Sequence, residues 1–177
     1  MKSFFKILFL LFFIKSSMAQ DLTNTVYLEL KDGKVVIEMK PDYAPEHVKR
    51  IKELISEKFY DGLKFHRVID GFMAQTGDPR GDGTGGSGQN IPAEFNSLPH
   101  IRGTVSMARA QDPDSADSQF FICFQESSFL DGQYTAWGQV IEGMEFVDKI
   151  KRGSGLNGMV DDPDKIISMR LAKEAEK

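Results

Sequence analysis

The sequence predicts a mainly β domain, a closed antiparallel barrel plugged by two helices and preceded by a short exported leader. Three observations predict it. Apolar runs with period-two alternation recur between Gly, Asp and Pro turns. Only two stretches place apolar residues at helical spacing. An apolar segment at the N-terminus stands apart from both patterns.

That N-terminal segment comes first. Lys2 and Lys6 give a positive start, an apolar run reaches Ile14, and Ser17 and Ala19 supply small residues where a signal peptidase reads. Residues 1–19 are therefore expected to be a secretory signal peptide cleaved after Ala19. The apolar run is well short of the ~20 residues a spanning helix needs, so no stable membrane span is expected after cleavage. Residues 20–177 are long enough for one domain with one core. Without Lys2, Lys6 and Lys15, the remaining 19 basic residues face 26 acidic ones, a net charge of −7. An acidic domain without a basic stripe is a poor partner for nucleic acid. Cys123 is the only cysteine, which excludes an internal disulfide. Within Phe120-Phe121-Ile122-Cys123-Phe124 it reads as a small buried hydrophobe.

Thr25 to Leu30 alternates with Val26, Leu28 and Leu30 on one face, and Asp32-Gly33 turns it into the alternating run Val35 to Met39, a hairpin. Pro45 opens a helix to about Phe59, with Val48, Ile51, Leu54 and Ile55 as its apolar stripe. A second helix is expected from about Met144 to Lys151, with Gly153 as its C-terminal cap. Lys165 to Leu171 reads as the last strand, with Ile167 and Met169 on one side. Gly153 to Asp164 reads as a loop, and Lys173 to Lys177 as a fraying tail.

The chemistry concentrates in Phe65-His66-Arg67-Val68-Ile69-Asp70-Gly71-Phe72-Met73-Ala74-Gln75-Thr76-Gly77-Asp78. Alternation puts Phe65, Arg67 and Ile69 on one face, sends His66 to the other, and brings Met73 and Gln75 together after the Asp70-Gly71 turn. In Ser118-Gln119-Phe120-Phe121-Ile122, placing Phe120 and Ile122 in the core leaves Phe121 outside. An outward aromatic has little structural purpose unless something binds it. Taken singly, each of these residues has an ordinary reading: Arg67 a solvated strand residue, Met73 and Phe121 core. Their joint appearance on converging faces favours a site.

These blocks, with Gly83-Thr84-Gly85-Gly86, Gly103-Thr104-Val105-Ser106-Met107-Ala108 and Leu130-Asp131-Gly132, closely resemble the cyclophilin family over about Thr23 to Ala172. The resemblance implies an eight-stranded barrel closed by two helices, with a peptide groove on its outer wall. It also implies prolyl cis/trans isomerase activity without a cofactor or metal, on proline-containing polypeptides. By position, Arg67 matches the catalytic arginine. Phe72, Met73, Phe121 and Leu130 match the proline-pocket walls, and Gln75 the residue that holds the arginine and a substrate carbonyl. Gln119 matches another groove contact, and Ala108 and Arg109 the segment whose backbone pairs with peptide. Arg109 stands where the family often has Asn, a departure expected to alter peptide preference more than activity. Phe129 stands where animal members carry a tryptophan important for cyclosporin binding, and Tyr134 where they have histidine; both count among the substrate-binding positions. These replacements resemble bacterial secreted members, so the periplasm is the expected compartment. A monomer is expected.

Other signals fall away. Gly81-Asp82-Gly83-Thr84-Gly85-Gly86 matches G-x-G-x-x-G but has no helix start after it, so it reads as a surface loop. Asp112 to Asp117 lacks the glycine and terminal glutamate of a calcium loop. His47, His66 and His100 show no zinc spacing, and Gly85 to Gln89 misses the hydrolase elbow at its last position.

Overall fold

A computed structural model describes residues 22–175; the expected signal peptide and its cleavage site lie outside the described residues. The strands are β1 (Thr25–Leu30), β2 (Gly33–Met39), β3 (Arg67–Ile69), β4 (Met73–Thr76), β5 (Thr104–Met107), β6 (Phe120–Cys123), β7 (Ala136–Glu142) and β8 (Ser168–Leu171). They form one antiparallel sheet in the order β3-β4-β6-β5-β7-β2-β1-β8. The helices are α1 (Pro45–Ser56), α2 (Met144–Val147) and α3 (Ala172–Ala175), one more than expected. Among the described residues no helix is long and apolar enough to cross a membrane.

The sheet curls but remains open, where a closed barrel was expected. Its edge strands β3 and β8 share no ladder. A single bridge, Lys64 with Lys165, and the hydrogen bonds Gly62 N–H to Ile166 O (2.8 Å), Phe65 N–H to Asp164 O (2.9 Å) and Ile166 N–H to Leu63 O (2.9 Å) span the gap. The reason is local. β3 is three residues long, and its outer edge is already taken by the segment 153–160, through Val68 N–H to Gly158 O (2.7 Å) and Gly153 N–H to Val68 O (2.9 Å).

The β1–β2 hairpin forms as its alternation requires, with Val26, Leu28, Leu30, Val35, Ile37 and Met39 in the core. Helix α1 lays Val48, Ile51, Leu54 and Ile55 against the same core and ends at Ser56, short of Phe59, because Lys58 takes a left-handed conformation (φ 58°). Helix α2 is a single turn started by Gly143 (φ 82°), where a Cβ would lie 2.4 Å from Lys34 O. Gly153 does not cap it: the helix closes at Asp148, and Gly153 instead packs against the Gly158 carbonyl. An aromatic row anchors the centre, with Phe120 edge-on to Tyr60 (5.4 Å) and to Trp137 (5.6 Å). Burial drives the Tyr60 phenol far above its ordinary pKa, and its O–H donates to Ser118 O at 3.1 Å.

Two face assignments need correction. Phe65 lies in the core rather than beside Arg67, since the chain joins the β3 ladder only at Arg67. Ile167 is exposed and Ile166 buried, because the chain is irregular before β8 begins at Ser168. Strand parity holds only along an unbroken ladder.

Helix α1 has no local side-chain cap; the Glu94 carboxylate accepts from the Glu46 N–H (3.1 Å), the His47 N–H (3.0 Å) and His47 Nδ1 (2.8 Å). Burial holds the pKa of His47 below its ordinary 6.5, despite the facing carboxylate, so the ring donates as a neutral imidazole. Burial also lowers His66. At Glu94 burial alone would raise the carboxyl, but the His47 ring and the two backbone N–H groups bring it below its usual range. All three groups bind protons more weakly folded than unfolded. Their contribution is therefore complete above the unfolded pKa values and is lost as pH falls. The denaturation midpoint should accordingly drop between about pH 7.5 and about pH 5, where unfolded histidine protonates. The slope can reach about 1.4 kcal/mol per pH unit for each proton taken up on unfolding. His47→Gln should flatten that drop in urea titrations run across the range.

Candidate active site

Strand register assembles the site. Arg67 pairs with Gln75 across β3–β4, Gln75 with Phe121 across β4–β6, and Phe121 with Ser106 across β6–β5. The neighbouring row is Ile69, Met73 and Cys123. Arg67, Gln75 and Phe121 thus stand side by side on the outer face, while Phe120 and Ile122 enter the core. Met73, Phe121, Cys123 and Leu130 form a second apolar cluster, flanked by Ile69, Phe72, Ala108 and Tyr134.

A cavity of about 380 Å³ opens above this cluster. It is lined by Arg67, Phe72, Met73, Gln75, Ala108, Arg109, Phe121, Phe129, Leu130 and Tyr134, ten of the eleven residues singled out from sequence, together with Gln133. The eleventh, Gln119, lines an adjoining cavity of about 280 Å³ floored by the glycine-rich loop.

Polar groups run in one row beside the apolar floor. The Arg67 guanidinium donates Nη1–H to Gln75 Oε1 (3.1 Å) and Nε–H to Asn157 O (2.9 Å). Gln75 Nε2 donates to Gln119 Oε1 (2.9 Å), and Gln119 Nε2 to Gly85 O (2.8 Å) and Gly83 O (3.1 Å). Arg67 is half-buried, and desolvation lowers its pKa, yet a guanidinium starts so high that it remains a cation at neutral pH. Among the described residues no carboxylate lies within ion-pair distance of it. A cation held by neutral dipoles at an apolar slot keeps its donors available for a bound group.

The walls are braced from behind. The buried His100 ring stacks on Phe121 (centroids 6.2 Å apart, 21° between planes), with Nδ1 at 2.8 Å from Asp131 Oδ1 and Nε2 at 2.9 Å from Ser106 Oγ. Tyr134 meets Phe121 edge-on at 6.0 Å. The Arg109 guanidinium lies over the Tyr134 ring (4.6 Å) and donates to the carbonyls of Gln133, Ala110 and Gln111. Its side chain therefore straps one wall to another, more than the main-chain contact expected of it. The Arg109 main-chain N–H and C=O pair with no described residue, leaving both free at the groove. Burial pushes the Cys123 thiol up to about 12, which suits a packing role.

Sequence reasoning missed Gln133, Asn157 and His100. Asn157-Gly158 carries a visible turn signal, but nothing local ties it to Arg67, 90 residues away. In the glycine-rich loop, burial alone would raise the Asp78 carboxyl, yet the backbone N–H groups it accepts, including Arg80 (2.7 Å) and Gly83 (2.6 Å), hold it below the usual range. In the Asp112–Asp117 turn, Asp112 accepts from Asp114 N–H, Asp114 from Ala93 N–H and Asp117 from the 87–89 backbone, so the carboxylates serve separate loops. Among the described residues no three His, Cys, Asp or Glu side chains are grouped to hold a metal.

Comparison with known proteins places the chain in a family. The family model described as cyclophilin type peptidyl-prolyl cis-trans isomerase/CLD matches residues 25–171. A probable peptidyl-prolyl cis-trans isomerase of Brucella suis is 51% identical over 176 residues, covering 92% of this chain and 90% of that protein. A peptidyl-prolyl cis-trans isomerase of Helicobacter pylori is 42% identical over 147 residues, covering 80% and 90%. The crystal structure of cyclophilin AquaCyp293 from Hirschia baltica superposes with a TM-score of 0.77 at 30% identity, over 85% of this chain and 74% of that one. A cyclophilin-type isomerase of Cryptosporidium parvum, crystallised in the presence of the dipeptide Ala-Pro, gives 0.76 at 29%, over 83% and 98%.

Proposed function

Since the chain belongs to the cyclophilin-type peptidyl-prolyl cis-trans isomerase family, we propose that it isomerises X-Pro bonds of exported polypeptides at the groove built around Arg67. The observation that carries this reading is the row Arg67–Gln75–Phe121, a cation and an apolar slot on three successive strands of the sheet.

A peptide bond resists rotation because nitrogen donates its lone pair into the carbonyl, a barrier of ~18–20 kcal/mol. An unaided X-Pro bond takes tens to hundreds of seconds to turn. Millisecond turnover needs roughly a 10⁴–10⁵-fold acceleration, about 5.5–7 kcal/mol. No bond breaks, so the reaction needs no nucleophile. As the imide twists, its nitrogen pyramidalises and regains a lone pair. An Arg67 N–H donates to that nitrogen, an interaction that strengthens mainly in the twisted state and so lowers the barrier. A charge-assisted hydrogen bond contributes about 1.5–3 kcal/mol. The slot of Met73, Phe121 and Leu130 supplies the remainder, excluding water and fixing the proline ring while the preceding carbonyl turns. Gln75 and the Asn157 carbonyl keep the guanidinium in plane for this task.

Export is argued from residues 1–19, which carry the three parts of a secretory signal. Uncatalysed proline isomerisation is slow enough to limit folding, which gives an isomerase among exported chains a use. The decisive experiment is a protease-coupled assay of the mature protein on a cis-proline peptide. Binding without turnover would mean a peptide-holding module and would sink the catalytic reading. Mass spectrometry of the exported protein should find Gln20 as the first residue.

Phe129 leads to a pharmacological prediction. It sits on the groove rim, its ring 5.4 Å from Phe72, and offers area to a ligand but no N–H donor. Cyclosporin should inhibit weakly while turnover of peptides is intact. Submicromolar inhibition of the purified enzyme would contradict this.

A further inference from the structure

The geometry points to Leu156 as a specificity-determining residue that offers an apolar contact to the residue beside the substrate proline, on the flank away from the glycine-rich cavity. This inference rests on the isomerase reading above and deepens it. The 153–160 segment is a tight hairpin closed by the Ser154–Met159 bridge and docked on β3. Its placement is set by glycines. A Cβ on Gly158 (φ 69°) would lie 2.4 Å from Ile69 Cγ1, and one on Gly153 would lie 1.9 Å from Gly158 O. The hairpin therefore sits directly on the strand that carries Arg67, and the carbonyl gripped by Arg67 Nε belongs to Asn157, the residue after Leu156.

Leucine at that tip is 102% exposed. Single exposed leucines are ordinary on protein surfaces, so exposure alone carries nothing. Location decides. Among the described large apolar residues the two most exposed are Leu156 and Phe129 (64%). Phe129 lines the candidate proline pocket, and Leu156 is one residue from the carbonyl that orients its guanidinium. On the other side of Arg67, the polar row runs through Gln75 and Gln119 to the Gly83 and Gly85 carbonyls and the second cavity. Polar groups thus mark one end of the groove, and at the other the exposed Leu156 stands on the hairpin beside Arg67, just outside the cavity lining. A peptide seated with its proline on Phe121 lays one neighbour toward each end.

Peptide pairs carrying leucine or serine immediately before or immediately after proline test this, with kcat/KM read by NMR exchange for wild type, L156S and L156M. Wild type should favour leucine about three- to tenfold on one flank only, the worth of partly burying such a side chain. L156S should bring that ratio near one by raising KM for the leucine peptide, and L156M should restore it. A ratio that survives L156S, no leucine preference in the wild type, or a preference removed from both flanks alike overturns the inference. Failure of the wild type to turn over any peptide would instead overturn the isomerase reading, so the two failures are separable.

Discussion

Arg67→Ala should lower kcat/KM about a hundredfold while peptide binding weakens only a few-fold. The magnitude follows from removing one charge-assisted hydrogen bond of about 1.5–3 kcal/mol that strengthens as the imide twists. On the proposed reading, ground-state binding would rest instead on the apolar floor and on the Arg109 main chain, neither of which the substitution touches. Arg67→Lys should recover little. An ammonium has no planar fork with which to hold Gln75 and Asn157 while addressing substrate. The check is a pair of measurements on each variant, turnover by the coupled assay and affinity by titration of a proline peptide. Turnover within threefold of wild type would remove Arg67 from the mechanism.

Phe120→Ala and Phe121→Ala should fail in opposite ways, although the residues are adjacent and both rings are buried. Phe120 is enclosed by Tyr60 and Trp137, so its loss leaves a sealed void and should cost roughly 3–5 kcal/mol of stability. Phe121 already has the cavity on one side and His100 and Tyr134 on others. Its loss widens an open slot, so the stability cost should be smaller. Activity should suffer more, by about tenfold or beyond, because the proline ring loses its floor and water enters. Urea denaturation and kcat/KM on both variants separate the two effects. Equal losses of stability with equal residual activity would refute the division of faces.

That division was legible in the sequence because β6 is an unbroken ladder, where side chains must alternate. The β1–β2 hairpin and the apolar stripe of α1 were legible for the same kind of reason: a short-range period meets a single buried face. Phe65 and Ile167 were misassigned where the chain joins or leaves a ladder and alternation loses its phase. Long-range partners left no local mark. Glu94 caps a helix 47 residues upstream, and the Asn157 carbonyl reaches Arg67 only because 153–160 takes the β3 edge. That same occupation keeps the sheet from closing, which the count of strands could not reveal. The residues lining the groove were named through resemblance of motifs. Their convergence in space is a property of register, which three short strands establish together.

Cys123 has one further consequence. It is fully buried, next to Met73 in the ladder and in one apolar cluster with Phe121 and Leu130, which line the pocket. With its thiol pushed up to about 12 by burial, it is almost wholly unionised at neutral pH. An alkylating reagent can reach it only when that floor parts. The rate of its modification, divided by that of the same thiol in the unfolded chain, therefore reports the opening equilibrium of the groove walls.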